Sequence, residues 1–527
     1  MTPPVVIGTG HAGVAAAKKL VALGHRPLVV DAAETLEPWR QQVVDRLASV
    51  PPAAWEPEDV ASVTTNPTVK DPMPRRLAFG SDYVYADRHE AVPVVRSSPS
   101  APVPNLALGG FSNVWGAAML PAADCDMTGW PFGRSELEPY YREVLTTLPL
   151  SAGHDELSED FPTYVDEATH ITAPPQAEHL LRKLSERARP RRDEGVVAGR
   201  ARLAVRSRSD DPRSCSYCGH CLSGCVYGSI STATDELDQL RRSRSIEHLP
   251  GRVVRSISES DGRVQVHCDR LEGGSETIEA DRVFLAAGAI NSTRIVLESL
   301  GLWDTPVRLL STQGFMVPLF QPSAPVGWPT VNTLAAIFVE YKVEPSNHWI
   351  HVQVNPPNEL VQGRLGYRRG GSRAKDRVLA PAMERALVAL ANLHSDHAGH
   401  YLLTLRGAGH GPPVLRIEPA SNPEFRRVAR RAGMRLIAHL AHVGVLGGPP
   451  LLGGSDGPSG WHFGGSLPMS IRRTGRLDTD LAGRPAGWDR VHVVDSAVFP
   501  SIPATTIALL GMANATRIVD RAMRGDR

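Results

Sequence analysis

Three strand-turn-helix passages predict a mixed α/β fold for this 527-residue chain: VVIGTGHAGVAAAKKLVALGHRPLVVDAAE near its start, DRVFLAAGAINSTRIVLESLG in its middle and RVHVVDSAVFPSIPATTIALLGMANATRIVDRA at its end. Each sets a short apolar run, the mark of a strand buried on both faces, ahead of a small-residue turn and a helical stretch. The length suits about three domain-sized units, or two domains whose segments interleave.

The first passage reads as a strand, the loop Gly8-Thr9-Gly10-His11-Ala12-Gly13, an alanine-rich helix ending near Gly24, and a second strand closing on Asp31. Gly8 permits the tight turn, Gly10 lets backbone approach a pyrophosphate, and Gly13 lets the helix pack on the strand. The helix N-terminus attracts the anion, and Asp31 is placed to accept hydrogen bonds from ribose hydroxyls. With strand, loop, helix and acid in this order, the unit is a Rossmann-like dinucleotide-binding βαβ.

Further along, Val103 to Trp130 holds a Gly109-Gly110 turn and then the small-residue stretch from Ser112 through Asn113, Val114 and Trp115 to Ala118, a loop that can lie against a flat ring. Trp130-Pro131 ends it, and Ser135 or a neighbour caps a helix running from Leu137. The middle passage gives a strand from Val283 to Ala287, a turn at Gly288 and a helix from Asn291 that stops before Gly301. Between 305 and 450, HWIHVQVNP and HYLLTLRGAG alternate as strands do, and AMERALVALANLHS reads as a helix. The last passage gives a strand ending at Asp495, a turn containing Pro503, and a helix from Thr505 or Thr506 whose N-terminus points at an anionic group.

Four of the six cysteines, Cys215, Cys218, Cys221 and Cys225, form a C-x2-C-x2-C-x3-C run. Thiolates so close on one loop reach one metal centre. The spacing is that of the bacterial ferredoxin run, with Val226 where its proline normally stands. An iron-sulfur cluster could use these four, or three of them with Cys125 or Cys268, or remain a three-iron centre; zinc, reduced structural thiols and a disulfide are the alternatives. Lys and Arg (57) nearly balance Asp and Glu (56), so overall charge makes no case for nucleic acid or an anionic membrane. The arginine-rich stretch 190–215 is either a solvated loop or a dock for an acidic electron-transfer partner. No run of eighteen apolar residues and no leader-like start is visible, and the expected location is the cytoplasm.

These pieces together resemble the glucose-methanol-choline (GMC) family of FAD-dependent oxidoreductases. The resemblance rests on the Gly8-Gly10-Gly13 loop, GG-x-S-x-x-W at 109–115, GWP and LxPYY at 129–141, VFLAAGAI at 283–290, His462-Phe-Gly-Gly, and VVDSAVFP followed by P-x-x-T-I at 503–507, in the family's order. It implies a Rossmann-like FAD-binding domain interleaved with a substrate domain built on a mostly antiparallel sheet. Residues 1–230 would form the FAD-binding domain with the flavin-contact and cysteine loops, 231–278 strands leading toward the substrate domain, 279–304 the FAD-domain return, 305–452 the substrate domain, and 453–527 the closing FAD-domain segment. Val253, Ala287, Gly288, Asp495, Pro503, Thr505 and Thr506 join the cofactor contacts.

The resemblance further implies that His462 takes the proton of a substrate hydroxyl as hydride leaves the carbon for flavin N5. The family usually places Asn or His just before the proline of P-x-x-T-I; here that position is Ile502, which cannot donate, accept or titrate. His410 and Asn514 are the substitutes the sequence offers. Val114 stands where a histidine can tether the flavin, which implies a noncovalent cofactor, and the 109–115 segment is most similar to the branch of pyranose 2-oxidase and sugar dehydrogenases. Some GMC-like sugar dehydrogenases carry a cysteine cluster in this part of the chain. The expectation is therefore an FAD-dependent dehydrogenase of a sugar, polyol or glycosylated small molecule, handing electrons through an iron-sulfur cluster to a carrier protein. A redox-neutral flavoenzyme (isomerase, lyase or cyclase) and a flavin-stabilised structural subunit are the alternatives.

Overall fold

The computed structural model describes residues 2–64, 76–85, 90–99, 101–324, 333–357, 373–408, 411–452, 457–458 and 460–525. The three passages meet in one parallel sheet, ordered Val491–Val493, Val283–Leu285, Val5–Ile7, Leu28–Val30 and Glu247–Leu249. Every residue of Val5–Ile7, Val283–Leu285 and Val491–Val493 is buried, as their unbroken apolar runs require. The helices His11–Ala22 and Ala508–Arg524 pack on each other beside it.

A second sheet is antiparallel throughout. Its order is Leu446–Gly447, Gln313–Phe320, Ala386–Leu393, Ile350–Asn355, Ile337–Tyr341 and Val196–Arg200, with Leu451–Leu452 also on Gln313–Phe320. Alternation divides its faces. Ile337, Val339, Tyr341, Ile350, Val352 and Val354 share a core with the helices Pro175–Glu186 and Phe425–Ala441. Phe338, Glu340, His351 and Gln353 occupy the opposite face, toward the dinucleotide unit. A further sheet joins Phe463–Gly464 to Val307–Ser311, His400–Ala408, Gly411–Ala420 and Val94–Arg96, and Arg252–Ala280 forms a three-stranded meander.

Several expectations shift. Val196–Arg200, assigned by sequence to the first domain, is an edge strand of the antiparallel sheet, while Glu247–Leu249 completes the parallel one. Within AMERALVALANLHS, Ala386–Leu393 is a strand paired on both sides, because an apolar segment between two partners satisfies its backbone by ladder bonds; the helix precedes it at Arg373–Met383. The helix after Trp130-Pro131 starts at Arg134, whose N–H is capped by Asp124 rather than by Ser135. The last helix begins at Ala508, so Thr505 and Thr506 lie ahead of it. The arginines of 190–215 are not a free basic face: Arg191, Arg192, Arg200, Arg206, Arg208 and Arg213 each meet an acid of the same chain.

Candidate active site

The glycine loop is shaped for a dinucleotide by two different constraints. A Cβ on Gly8 would lie 2.4 Å from the Ala286 carbonyl oxygen, and one on Gly13 2.0 Å from that of Gly8, so packing alone demands both glycines. A Cβ on Gly10 would meet nothing within 4 Å, which leaves open space beside the uncapped start of the helix His11–Ala22. Gly110 faces this space, its own Cβ position 3.4 Å from Gly10 Cα. The buried His11 Nε2 has no partner, and Asp31, half-buried just after the second strand, accepts from the Thr9 hydroxyl, with its carboxyl pushed up to about 7 by desolvation. Open room at the helix N-terminus, an orphaned nitrogen and a half-buried carboxyl group fit the pyrophosphate and ribose of a dinucleotide. Val253 packs with Ala32 just beyond Asp31, a wall suited to an adenine ring.

The flavin-contact segment is held from several sides. Ser112 accepts the Ala233 N–H and donates to Gly109 O, Asn113 ties back to Leu108 O and Gly110 O, and Thr9 accepts the Gly109 N–H. Trp115 donates to Ser231 O while its ring lies 4.3 Å from that of His11. Val114 packs beside Phe111 under Tyr85. Asp495 is fully committed to protein: it accepts from Gly288 N–H, Ser292 and Ala497 N–H, pinning the turn with Ala287 to the last strand. Thr506 accepts the Leu120 N–H, and the buried Thr505 hydroxyl beyond Pro503 has no partner.

His462 directly precedes the strand Phe463–Gly464, and its backbone carbonyl accepts from Thr312. Its Nδ1 is buried without a partner, and burial, reinforced by nearby His351, pushes its pKa down to about 4. Phe111, Trp461, Phe463 and Tyr85 form an edge-on aromatic cluster beside it. Opposite stands a group that motif reading missed. His351 Nδ1 donates to Glu340 Oε1 at 2.6 Å, both residues wholly buried, and Gln353 donates to His351 Nε2 at 3.1 Å. The sequence signal was three polar residues, His351, Gln353 and Asn355, on one face of HWIHVQVNP and one, Glu340, in IFVEY.

Ile502 is completely buried in apolar surroundings, its backbone exchanging hydrogen bonds with Ser395. Asn514 sits in the interior of the last helix with its oxygen accepting from Arg517, which in turn reaches Glu136. His351 is thus a polar group near His462, while the Asn514 oxygen is engaged by Arg517; His410 lies outside the described residues.

The four clustered cysteines line one cavity with Ile171, Val205 and Leu334, and none forms a disulfide. The Cys221 and Cys225 sulfurs accept the backbone N–H groups of Thr333 and Ser229. Cys125 and Cys268 are not among the lining residues. Burial pushes Cys215 up to about 12 and Cys221 to about 11.

No protein-family profile and no curated protein matches the sequence. Solved structures do. Pyridoxine 4-oxidase from Mesorbium loti aligns with a TM-score of 0.59 over 100% of both chains at 15% identity. A point variant of formate oxidase from Aspergillus oryzae, studied for FAD modification, aligns with a TM-score of 0.60 over 99% of this chain and 98% of its own at 14% identity. The chain therefore shares, along its whole length, the fold of these two oxidases.

Proposed function

We propose that this protein is a GMC-type FAD-dependent enzyme that oxidises a CH–OH group, with His462 as the base. The observation that carries the reading is the buried, unpartnered Nδ1 of a neutral His462 beside the His351–Glu340 pair, on the side of the antiparallel sheet that faces the dinucleotide cradle. Bound noncovalently along Gly8–Gly13, Asp31 and 109–115, FAD would supply the hydride acceptor. His462 would receive the hydroxyl proton; a nitrogen buried without a partner costs about 1–3 kcal/mol, which a donating hydroxyl offsets. His351, its tautomer fixed by Glu340 and Gln353, supplies the polar contact that Ile502 cannot. This supports oxidation over the redox-neutral alternative, which the apolar Ile502 favoured. Gln353 and Asn392, which flank His351 on the sheet face, and the aromatic cluster suit a polyhydroxylated substrate such as a sugar or polyol.

Electrons would leave through an iron-sulfur cluster on Cys215, Cys218, Cys221 and Cys225. Backbone N–H donors to the Cys221 and Cys225 sulfurs would tune such a cluster, whose iron would have to hold as thiolates groups that burial otherwise keeps protonated. Among the described residues, no three cysteine sulfurs lie within 4.8 Å of one another. Zinc bonds of about 2.3 Å would draw them to roughly 3.8 Å, whereas a cluster spreads its ligands over several irons. Arg76, half-buried near Cys221 and donating to Trp115 O, connects the cysteine loop to the flavin-contact segment.

The test is the spectrum of anaerobically purified protein, with iron and acid-labile sulfide assayed on the same sample, followed by a panel of sugars and polyols. Flavin bands over an iron-sulfur background, bleached by a sugar or polyol, are expected. Flavin without iron would remove the electron exit, and flavin that no hydroxyl donor bleaches would remove the dehydrogenase.

A further inference from the structure

Four segments of the chain meet at the turn that carries Ile502: 125–126, 348–349, 394–396 and 501–502. The Ser395 N–H donates to Ile502 O, and its hydroxyl accepts the Ile502 N–H, both at 3.0 Å. Ser501 donates to Asp126 O at 3.2 Å, and Asp126 Oδ1 accepts the Trp349 N–H at 2.9 Å. His348 spans the remaining gap with both ring nitrogens. Its Nδ1 lies 2.8 Å from Cys125 O and its Nε2 2.9 Å from Asp396 Oδ2.

A neutral imidazole has a single N–H, whereas a backbone carbonyl and a carboxylate are both acceptors. His348 therefore satisfies its two partners together only with both nitrogens protonated, and the exposed Asp396 carboxylate supplies the counter-charge. His394 stacks on this ring at 3.6 Å between centroids, 14° from parallel. It is the neutral member of the stack: its Nε2–H donates to Asp126 O at 3.2 Å, and its Nδ1 accepts the Asp396 N–H at 3.2 Å. The stack thus sets one cation on one neutral ring.

We infer that His348 is a positioning residue that works as an imidazolium: bridging Cys125 O and Asp396, it holds 348–349 and 394–396 on 125–126 and, through Ser395, fixes the turn that leads from Ile502 to Pro503 and Thr505. The 348–349 segment also runs directly into the strand Ile350–Asn355, which carries His351. Only the link from that turn to the cofactor rests on the flavoenzyme reading.

The groups facing His348 agree on the sign. Burial lowers its pKa, but the Asp396 bond and charge, with Asp126 and the Cys125 carbonyl, outweigh burial and raise it above 6.5. Asp126 Oδ1 stands 3.8 Å from Nδ1, and its carboxyl, pushed up to about 7 by burial, gains charge as pH rises and holds the His348 proton more firmly. Burial lowers His394 and His397, so both are neutral above pH 6.5, and it raises the Cys125 thiol. Further out, Lys342 and Glu340 act on Asp126, and Glu424 and Arg427 on His397. A pKa raised on folding adds stability that is complete below the unfolded value and is lost as pH rises through the folded one.

The experiment follows urea unfolding of the full-length holoprotein across the neutral and alkaline range at fixed FAD concentration. The parent should be more stable than His348→Gln below pH 6.5, and the difference should disappear in a one-proton step at higher pH. Asp396→Asn keeps an acceptor for Nε2 without the charge, so the same comparison in that background should move the step down by roughly one pH unit. The visible circular dichroism of the bound flavin, measured on the parent and on Asp396→Asn, should change with the same two midpoints and needs no His348 variant to fold. A stability difference that does not vary with pH, or a step that Asp396→Asn leaves in place, overturns the charged bridge. A step in stability with no change at the flavin leaves His348 as an ion pair only and overturns its positioning role. The unfolding curves depend neither on turnover nor on iron, so failure here is distinct from failure of the oxidoreductase reading.

Discussion

His462 is neutral at physiological pH because burial, with His351 close by, holds its pKa near 4 rather than 6.5. A lowered pKa means that the proton-accepting form persists through neutral pH and is lost only as pH falls through about 4. The expected kcat/KM profile is therefore flat around pH 6.5 with its acid limb near 4, and a limb at the ordinary histidine value would show that this group does not govern turnover. His462→Gln should lower kcat by about 10²- to 10⁴-fold with flavin content unchanged, the usual worth of a general base. Glu340 touches His351, so in the proposed mechanism its effect passes through that ring. Exchanging its charged hydrogen bond for a neutral one in Glu340→Gln should cost of order tenfold in kcat/KM while FAD binding is retained. A matching loss of flavin would mark Glu340 as purely structural.

At the scale of elements, the glycine loop separates packing from ligand space. Gly10 has an extended backbone, φ −65° and ψ 177°, and nothing within 4 Å of a new Cβ, so Gly10→Val should leave secondary structure intact and abolish FAD binding. Gly13→Val collides with Gly8 O and should destabilise the fold itself. Retained flavin in Gly10→Val would move the pyrophosphate elsewhere. This loop was legible in sequence because one local segment contains the whole device. So were the turn at Gly288 and the strand Ile350–Asn355, where the side-chain period speaks for itself. Ala386–Leu393 was not, since an apolar run between two partner strands has no alternation to reveal it. The His351–Glu340 pair and the His348–His394–Asp396 group were illegible for another reason: their members are brought together only by cross-strand register or by loop approach.

At the scale of the molecule, the chain passes repeatedly between its two large sheets, and the parallel sheet is complete only when Val491–Val493 adds beside Val283–Leu285. The helix Ala508–Arg524 then covers His11–Ala22, the helix that opens the dinucleotide cradle. The proposed cofactor cradle thus depends on both ends of the sequence. A chain ending before residue 490 leaves the edge at Val283–Leu285 unpaired and that helix uncovered, and it should neither bind FAD nor stay dispersed. The same interleaving couples the sheets energetically. FAD at about 100 times its Kd adds roughly 2.7 kcal/mol to the folded state. If unfolding is a single cooperative transition, the whole of it should move up by a few degrees on adding FAD. Two calorimetric transitions, only one of them shifted by FAD, would show instead that the antiparallel sheet stands alone and that the crossing segments act merely as tethers.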